Sequence, residues 1–573
     1  MMNIPRSEHP NPQLERSNWV CLNGEWEFEI DKSNSGKARK LYESEKLSSK
    51  ITVPFCPESE LSGINDKDFL NSVWYRRTVE ISKGDGLVFL NIGACDYFTT
   101  VYVNGKTVGT HKGGYTPIRL NITDFALDGE NSIVIHAEDD VRSGLQPKGK
   151  QSDLYYSHNC DYTRTTGIWQ SVWLEYVPVT HIEAFRFYPN ANRGSLAIDM
   201  LLCGSADLKV KAFYEGRVVG EYYEKDACSK SSFCIELSEK HLWNVGDGKL
   251  YDIEISYGED RVKSYFGLRS LELVGNKFLI NGKSVFQRLV LDQGYYKSGI
   301  YTAPTEDDLV LDIKLSLDAG FNGARLHQKL FEPRFLYHCD RLGYIVWGEY
   351  ASWGTDHTSS DSLPTFLREW EEAILRDFNH PSIVGWCPFN ETWNIKGRQQ
   401  RNEILEIVYK MTKAIDTTRP CIDTSGNFHV LTDIYDIHDY DQNVEDFSAR
   451  LVDFENTGTL TENLQRNPIH KGRQHYNGEP IFVSEYGGIK WDEENDSGAW
   501  GYGNAPTTPE EFINRYDGLT TALLNCSRMF GFCYTQLYDI EQERNGLYTY
   551  DRKPKFDISI FKRINSKKAK IED

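Results

Sequence analysis

Two glutamates stand at the ends of apolar segments that have the length of buried β-strands. Glu391 follows the apolar run 382–389, with Asn390 directly before it, and Glu485 ends the run 480–485, 94 residues further along the chain. Polar residues at the carboxyl ends of parallel strands are where an α/β barrel carries its chemistry. Two carboxyl groups that face each other across one sugar ring can cleave its glycosidic bond. One such glutamate is as often a solvated loop residue, but two of them favour catalysis.

The elements that would bring these glutamates together are predicted from about residue 272 onward. Short apolar runs alternate there with amphipathic segments, which is typical of parallel strands joined by helices. The predicted strands cover 285–291, 322–326, 344–347, 382–391, 421–424, 433–438, 480–485 and 531–536, and the predicted helices cover 305–319, 333–341, 365–378, 403–415 and 509–525. Eight strands describe a (β/α)₈ TIM barrel in which Glu391 ends the fourth strand and Glu485 the seventh.

The first 271 residues carry a different pattern, in which short alternating strands are separated by turn signals. Asn104-Gly105, between two such strands, is a strong hairpin signal. Residues 1–180 therefore predict a two-sheet sandwich. Residues 181–271 contain predicted strands at 196–202, 208–214, 218–223, 232–237 and 250–257, which fit an immunoglobulin-like β-sandwich.

Several of these segments resemble those of one enzyme family. HPSIVGWCPFNE and PIFVSEYGG resemble the acid/base and nucleophile segments of glycoside hydrolase family 2, which contains β-galactosidases, β-glucuronidases and β-mannosidases. WYRR, VYVNGK, GGYTPI and TTGIWQSVWLE resemble the jelly-roll domain that opens these enzymes, and DRKPK resembles their barrel exit. The resemblance implies a multidomain β plus α/β chain: a jelly-roll sugar-binding-like domain at 1–180, an immunoglobulin-like β-sandwich at 181–271 and a catalytic (β/α)₈ barrel at 272–573. We expect the jelly-roll mainly to support the barrel.

The resemblance also implies roles for single residues. Glu391 is expected to be the acid/base and Glu485 the nucleophile of a double displacement that retains the anomeric configuration. We expect apolar neighbours such as Trp386 or Trp393, with the charge of Glu485, to raise the pKa of Glu391. Asn390 is expected to bind the sugar 2-hydroxyl.

Other residues at or after strand ends are predicted to bind substrate. Arg325 or Tyr440 is expected to hold Glu485 in its ionised form. The spacing of His327 departs by one residue from the family pattern, so a structural histidine is an almost equal alternative, and for each tryptophan plain packing is an equal alternative. The predicted substrate-binding residues are Asn390, Arg325, His327, Asp292, His438, Tyr440, Trp353, Trp393 and Trp491.

The identity of the sugar depends on the segment before the barrel exit. Family glucuronidases carry an Asn-x-Lys element there, which holds the sugar carboxylate. This chain has no lysine between Gln542 and Gly546, and Glu541 and Glu543 would repel a uronate. The sequence therefore predicts a β-galactosidase, with a β-glucuronidase or other hexuronidase as the alternative. Arg544 could replace the missing lysine, because a guanidinium binds carboxylates well.

A non-catalytic carbohydrate-binding protein with a degenerate barrel is the alternative of a different class. The retained Asn390, Glu391 and Glu485 disfavour it. A panel of p-nitrophenyl glycosides separates the two classes.

Composition limits the partners. The chain has 573 residues and a formal net charge of −20, which disfavours binding to nucleic acid and to anionic membranes. Twelve cysteines lack any C-x-x-C pair and fourteen histidines lack an H-E-x-x-H motif, so we predict no metal and no cofactor. The N-terminal segment has no apolar signal region, which predicts a cytoplasmic protein. The expected partner is a small-molecule glycoside or oligosaccharide, and homo-oligomerisation is left open.

Overall fold

The computed structural model describes residues 4–461, 464, 469–492 and 498–572. The chain forms two β-sandwiches followed by a parallel barrel, which confirms the predicted fold class. The predicted division near residues 180 and 271 stays a prediction, and its outer limits, Met1 and Asp573, lie outside the described residues.

Two hydrogen-bonded sheets form the first sandwich. The four-stranded sheet has the order β1-β12-β5-β9, and the six-stranded sheet has the order β3-β2-β4-β10-β7-β8. The strands are β1 (Trp19–Cys21), β2 (Gly24–Ile30), β3 (Ser49–Val53), β4 (Ser72–Ile81), β5 (Leu87–Ile92), β6 (Cys95–Asp96), β7 (Phe98–Val103), β8 (Lys106–Lys112), β9 (Ile118–Asn121), β10 (Gly129–Glu138), β11 (Gly167–Ile168) and β12 (Val172–Val177).

Alternation along the strands builds the core between these sheets. Val73 and Tyr75 on β4, and Ile133 and Ile135 on β10, are fully buried in one cluster, because residues two apart on a strand face the same side. The predicted hairpin turn joins β7 to β8, and Asn104 and Gly105 both have positive φ, 51° and 76°. A two-residue turn of this kind requires that conformation.

The second sandwich is dominated by two strands of 20 residues each. Its strands are β13 (His181–Asn190), β14 (Ser195–Tyr214), β15 (Arg217–Glu236), β16 (Tyr251–Tyr257) and β17 (Asp260–Phe266). The prediction of four short strands between 196 and 237 is wrong, because β14 and β15 are continuous and pair through register shifts between Leu201 and Leu208. Both halves of β14 contribute to one buried cluster, so the bent sheet folds over its own core.

Seven parallel strands in the order β24-β23-β22-β21-β29-β28-β27 form the barrel wall. The short parallel pair β25-β26 and a bridge between Trp386 and Cys421 supply the fifth position. The strands of this region are β18 (Leu271–Val274), β19 (Lys277–Ile280), β20 (Lys283–Ser284), β21 (Gln287–Asp292), β22 (Gly323–Leu326), β23 (Ile345–Glu349), β24 (Ile383–Cys387), β25 (Phe389–Asn390), β26 (Thr424–Ser425), β27 (Tyr435–Asp439), β28 (Ile481–Gly487) and β29 (Met529–Thr535).

The helices surround this wall, and short 3₁₀ turns lie at 41–43, 360–362 and 570–572. They are α1 (Glu306–Asp318), α2 (Pro333–Leu342), α3 (Leu363–Asp377), α4 (Asn402–Ile415), α5 (Val444–Thr457), α6 (Pro509–Leu524) and α7 (Ile558–Asn565). Thr305 begins α1 with a capping box that it forms with Asp308. Among the described residues, no helix is long and apolar enough to cross a membrane.

The two ends of the barrel differ in chemistry. At the amino-terminal end, the β18–β20 hairpin places Phe278 and Ile280 against Trp347 and Phe482 in an apolar cluster that fills the interior. The carboxyl-terminal end holds the polar residues. The first sandwich docks beside that end, where the backbone N–H of Lys148 donates to the carbonyl of Trp353 at 2.6 Å.

Candidate functional site

Glu391 and Glu485 meet at the carboxyl-terminal end of the barrel. Glu391 Oε1 lies 2.9 Å from His438 Nδ1, and Glu485 Oε2 lies 3.3 Å from the same nitrogen. One ligand atom from each of the three residues lies within 4.8 Å of the other two. The strand ends named in the sequence therefore bring the two carboxyl groups together across one histidine.

Local backbone structure fixes each glutamate. Glu391 follows β25 with a positive φ of 45°, and its N–H donates to the carbonyl of Ser425 on β26 at 2.7 Å. A positive φ is uncommon for a residue with a side chain and is found most often at functional positions. Glu485 lies inside β28, where every residue is buried.

Two donors hold the carboxylate of Glu485. Arg325 Nη1 donates to Oε1 at 2.8 Å, and the Tyr440 hydroxyl donates to Oε2 at 2.5 Å. Arg325 also donates to Glu349 Oε2 at 2.6 Å and to Asn390 Oδ1 at 2.7 Å, so one buried guanidinium orients three strand ends. Charge-assisted hydrogen bonds of this kind favour an ionised carboxylate. Both residues that the sequence offered as holders of Glu485 thus contact it.

The expected raised pKa of Glu391 is wrong for this structure. Burial on its own raises the pKa of Glu391, but the hydrogen bond and charge of His438, with the charge of Lys150, outweigh it and lower that pKa. Trp386 cannot supply the expected apolar contact, because its Nε1 donates to Asp416 on the outside of the barrel at 2.8 Å. The side chain of Trp393, the other expected apolar neighbour, instead hydrogen-bonds Glu391 and also lowers that pKa, and the residue is 40% exposed.

The pKa of His438, which faces Glu391, is shifted in the opposite direction. Burial on its own lowers the pKa of His438, but the negative charges of Glu485 and Glu391 outweigh it and raise that pKa. The other ring nitrogen, Nε2, lies 2.8 Å from Ser425 Oγ, which donates to Asp436 Oδ2 at 2.5 Å. This chain of contacts fixes the imidazole between the two carboxylates.

Asn390 and Trp353 lie beside this cluster. The Oδ1 of Asn390 accepts from Arg325, while its buried Nδ2 has no hydrogen-bond partner within the part of the chain that the structure describes. That amide is therefore available to a ligand oxygen. Trp353 Nε1 donates to the carbonyl of Asn390 at 3.0 Å. The backbone N–H of Trp393 donates to the carbonyl of Glu391 at 2.7 Å.

His327 lies beside the glutamate cluster, whereas the hydrogen bonds of Asp292 lead away from it. His327 is buried with Nδ1 at 3.0 Å from Glu349 Oε1, and burial lowers its pKa well below the usual value, so it is a neutral neighbour of the cluster. Asp292 accepts from the Tyr538 hydroxyl at 2.7 Å and from the N–H of Gly294 at 2.9 Å. Its binding role stays a prediction, since within the described residues none of its hydrogen bonds reaches the glutamate pair.

Trp491 packs away from the cluster. Its ring lies 5.8 Å from Phe556 and 6.5 Å from Phe512, between centroids, in the apolar layer around α6. The structure thus favours the packing alternative for this tryptophan over sugar stacking.

The segment before the barrel exit is arranged differently from the expectation. The carboxylate of Glu541 accepts from the N–H of Thr163 at 3.1 Å, and Arg544 Nη1 faces Asp539 Oδ2 at 3.9 Å. Glu543 alone turns inward, where it contacts the Tyr162 hydroxyl and Asn545 Nδ2. Burial, with the charge of Glu485, raises the pKa of Glu543 to about 7 despite the opposing charge of Lys150.

Sequence reasoning missed the residues that reach the site from elsewhere. Lys150 and Tyr162 come from loops of the first sandwich, and no local motif marks them. Tyr502 stacks on Tyr440 with 3.5 Å between ring centroids. Its Gly-Tyr-Gly context lies after the seventh strand and was the one signal that could have identified it.

Among the residues that the structure describes, two groups of side chains have the ligand spacing of a metal site. They are Glu391, His438 and Glu485, and His181, Glu183 and Cys203. In the first group, Arg325 already pairs with Glu485, and His438 itself lies on Glu391. In the second, Arg119 lies 2.9 Å from both oxygens of Glu183 and would oppose a cation. The predicted independence from metals stays a prediction.

The chain matches known proteins over most of its length. Residues 20–178 match the glycosyl hydrolases family 2 sugar binding domain, and residues 271–568 match the glycosyl hydrolases family 2 TIM barrel domain. A β-glucuronidase of Streptococcus agalactiae is 23% identical over 602 residues, covering 95% of this chain and 96% of that protein. A β-galactosidase of Thermoanaerobacter pseudethanolicus is 26% identical over 415 residues, covering 66% of this chain and about half, 52%, of that protein.

Solved structures share the fold over nearly the whole chain. A β-glucuronidase of an uncultured Clostridium species has a TM-score of 0.79 and 20% identity, covering 96% of this chain and 99% of that one. A β-glucuronidase from Ruminococcus gnavus in complex with D-glucuronic acid has a TM-score of 0.79 and 18% identity, covering 98% and 100%.

Proposed function

This chain belongs to glycoside hydrolase family 2, and we propose that it is a retaining exo-β-glycosidase whose preferred terminal sugar is β-D-glucuronic acid. The observation that carries the proposal is the placement of Glu391 and Glu485 around His438, with carboxyl oxygens within 4.8 Å of each other. Retaining enzymes hold their two carboxyl groups about 5 Å apart, whereas inverting enzymes need about 6.5–9.5 Å to admit water. The observed spacing supports retention.

In the first step, Glu485 attacks the anomeric carbon while the bond to the leaving oxygen breaks. The leaving oxygen takes a proton from Glu391, which receives it from His438 Nδ1 at 2.9 Å. Arg325 and Tyr440 keep Glu485 ionised and oriented until the covalent bond forms. The buried Nδ2 of Asn390 is placed to bind a sugar hydroxyl.

In the second step, water replaces the glutamate. Glu391, now ionised, takes a proton from the attacking water, the bond between the anomeric carbon and Glu485 breaks, and the sugar leaves with its original configuration. Apart from the attacking water, the groups in this scheme are side chains of the protein.

The choice of glucuronic acid is supported by the relatives. The Streptococcus agalactiae relative, which aligns with nearly the whole chain, is named a β-glucuronidase. The second candidate is a β-galactosidase, which the sequence favoured, because Glu543 rather than a lysine turns inward before the barrel exit. The related structure with bound D-glucuronic acid supports a small-molecule glycoside as the partner.

One experiment tests reaction type and sugar together. Hydrolysis of p-nitrophenyl β-glucuronide, β-galactoside, β-glucoside, β-mannoside and α-arabinoside is followed by absorbance, and the first-formed anomer of the best substrate is identified by ¹H NMR. We expect the glucuronide to be cleaved fastest and the β-anomer to appear first. An α-anomer as first product would overturn retention, and a faster galactoside would reverse the order of the two sugars.

A further inference from the structure

A segment of the first sandwich enters the wall of the catalytic pocket. The N–H of Lys148 donates to the carbonyl of Trp353 at 2.6 Å, and the N–H of Gly149 donates to that of Ala351 at 3.3 Å. Gly149 has a φ of 55°, and a Cβ at this position would collide with the backbone oxygen of Gln328. Only glycine can occupy this position, and the hydrogen bonds on both sides of it fix the backbone from which the side chain of residue 150 extends.

That next side chain is Lys150, whose residue is only 5% exposed. Its Nζ lies 3.7 Å from the ring centroid of Trp353, whose Nε1 donates to the carbonyl of Asn390, the residue before Glu391. The ammonium is thus held by a cation–π contact on the pocket wall.

In the part of the chain that the structure describes, no protein acceptor faces the N–H donors of this ammonium. Within the described residues, which omit 1–3, 462–463, 465–468, 493–497 and 573, Lys150 Nζ forms no hydrogen bond and no ion pair, and its contact is the Trp353 ring. Lys329, buried to a similar degree, shows the ordinary arrangement, because its Nζ donates to the carbonyls of Gly294 and Tyr301. The side chain is nearly buried, but Nζ is not among the fully enclosed polar atoms that lack a partner, so its donors are left for water or for a ligand that supplies acceptors.

The surroundings of Lys150 suit an anion rather than a neutral hydroxyl group. Burial on its own lowers the pKa of Lys150, but negative charge on Cys160, Glu543 and Glu391 outweighs it, so the pKa of Lys150 is raised and the side chain stays charged. Glu543, a buried carboxyl group, accepts from the Tyr162 hydroxyl and from Asn545. Because its pKa is raised to about 7, it carries negative charge beside Lys150 in the free site and can take up a proton when a second carboxylate enters. A protonated carboxyl group donates to a carboxylate instead of repelling it.

We propose that Lys150 binds the carboxylate of a terminal uronic acid, so that a residue of the β-sandwich determines the sugar preference of the barrel. This inference rests on the proposed function, because it names the group that would recognise the C6 carboxylate of the glucuronide. It also accounts for a uronate site in a chain without a lysine between Gln542 and Gly546.

The test compares two substrates that differ only at C6, p-nitrophenyl β-D-glucuronide and p-nitrophenyl β-D-glucoside. The variants are Lys150→Met, Lys150→Arg and the control Lys148→Met, whose ammonium pairs with Asp161 at 2.5 Å instead. Loss of one partner of a buried charge pair predicts that Lys150→Met lowers kcat/KM for the glucuronide at least ~30-fold. We expect the same substitution to change kcat/KM for the glucoside less than about 5-fold. Lys150→Arg should recover at least about a tenth of the kcat/KM that the parent chain has for the glucuronide. Lys148→Met should leave the ratio of kcat/KM values for the two substrates unchanged.

Binding of D-glucuronate and D-glucose, measured by calorimetry, gives a readout that does not need turnover. We expect Lys150→Met to weaken D-glucuronate binding selectively while circular dichroism remains that of the parent chain. Equal losses on both substrates, or an unchanged glucuronide preference, would overturn the role of Lys150 while leaving the glycosidase intact. A parent chain that cleaves no β-glycoside would instead refute the proposed function, and calorimetry would still decide whether Lys150 binds a carboxylate.

Discussion

The hydroxyl of Tyr440 offers the most selective perturbation of the proposed nucleophile. It donates to Glu485 Oε2 at 2.5 Å and lies 2.9 Å from Thr535 Oγ1. Its ring stacks on Tyr502 with 3.5 Å between centroids. Tyr440→Phe keeps that stacking and removes the hydroxyl alone, so Glu485 loses one hydrogen bond without losing its position on β28.

The two chemical steps respond differently to this loss. In the first step Glu485 begins as a full carboxylate, so the lost hydrogen bond weakens the ground state at least as much as the transition state. In the second step Glu485 regains negative charge as it leaves, and the missing donor raises the barrier. A hydrogen bond to a charged group contributes about 1.5–3 kcal/mol. If half of it is realised in the transition state, the second step slows about 4- to 13-fold.

Stopped-flow measurement with an activated aryl glycoside tests whether Tyr440→Phe slows only the second step. We expect Tyr440→Phe to lower kcat and KM together and to release a burst of aryl alcohol close to one equivalent. The control is Tyr486→Phe, which removes a buried hydroxyl bonded to Thr520 at 2.8 Å, away from the glutamate pair, and should leave kcat unchanged. Equal falls in kcat and kcat/KM without a burst would refute the reasoning, because they would mean that Tyr440 only positions Glu485.

Further outcomes are expected from three other perturbations. Glu391→Ala should still release the aryl group of an activated substrate, and added azide should then give a β-glycosyl azide. Azide rescue of Glu485→Ala should instead give the α-glycosyl azide. Exchanged products would show that the two roles are reversed. Burial raises the pKa of Glu58 from its ordinary 4.5 to about 8, so the folded chain binds this proton more tightly and stability should fall as pH rises through that range. Glu58→Gln should flatten that fall in Tm, and an unchanged slope would contradict it. Thr305→Ala, which removes the cap of α1, should lower the free energy of unfolding by about 0.5–2 kcal/mol in denaturant titrations, and an unchanged midpoint would argue against the cap.

Local sequence patterns predict an element correctly where burial of that element alone determines its structure. The strand that ends before Glu391 and the strand that contains Glu485 are apolar because both of their faces are buried, and that signal is visible in one window of residues. The missed helix α5 carried the same kind of signal. Asn443 caps it, and Phe447, Leu451 and Phe454 are spaced for one helical face.

Other features could not be derived from a local window. Continuous β14 and β15 depend on register shifts that let two long strands bend, and bulges leave no reliable mark in the sequence. The lowered pKa of Glu391 depends on His438, 47 residues away. Lys150 reaches the barrel only because a separate sandwich docks on it, and a search near the barrel exit could not find it.

Trapping of the covalent intermediate tests the glutamate pair most directly. The chain is treated with an activated 2-deoxy-2-fluoro-β-glycoside of its best sugar, which slows both steps and lets the intermediate accumulate, and the labelled peptide is identified by mass spectrometry. The proposed mechanism predicts one sugar per chain, attached to Glu485, and no label in Glu485→Gln. A sugar attached to Glu391 or Glu543, or hydrolysis that proceeds with inversion and no adduct, would contradict it.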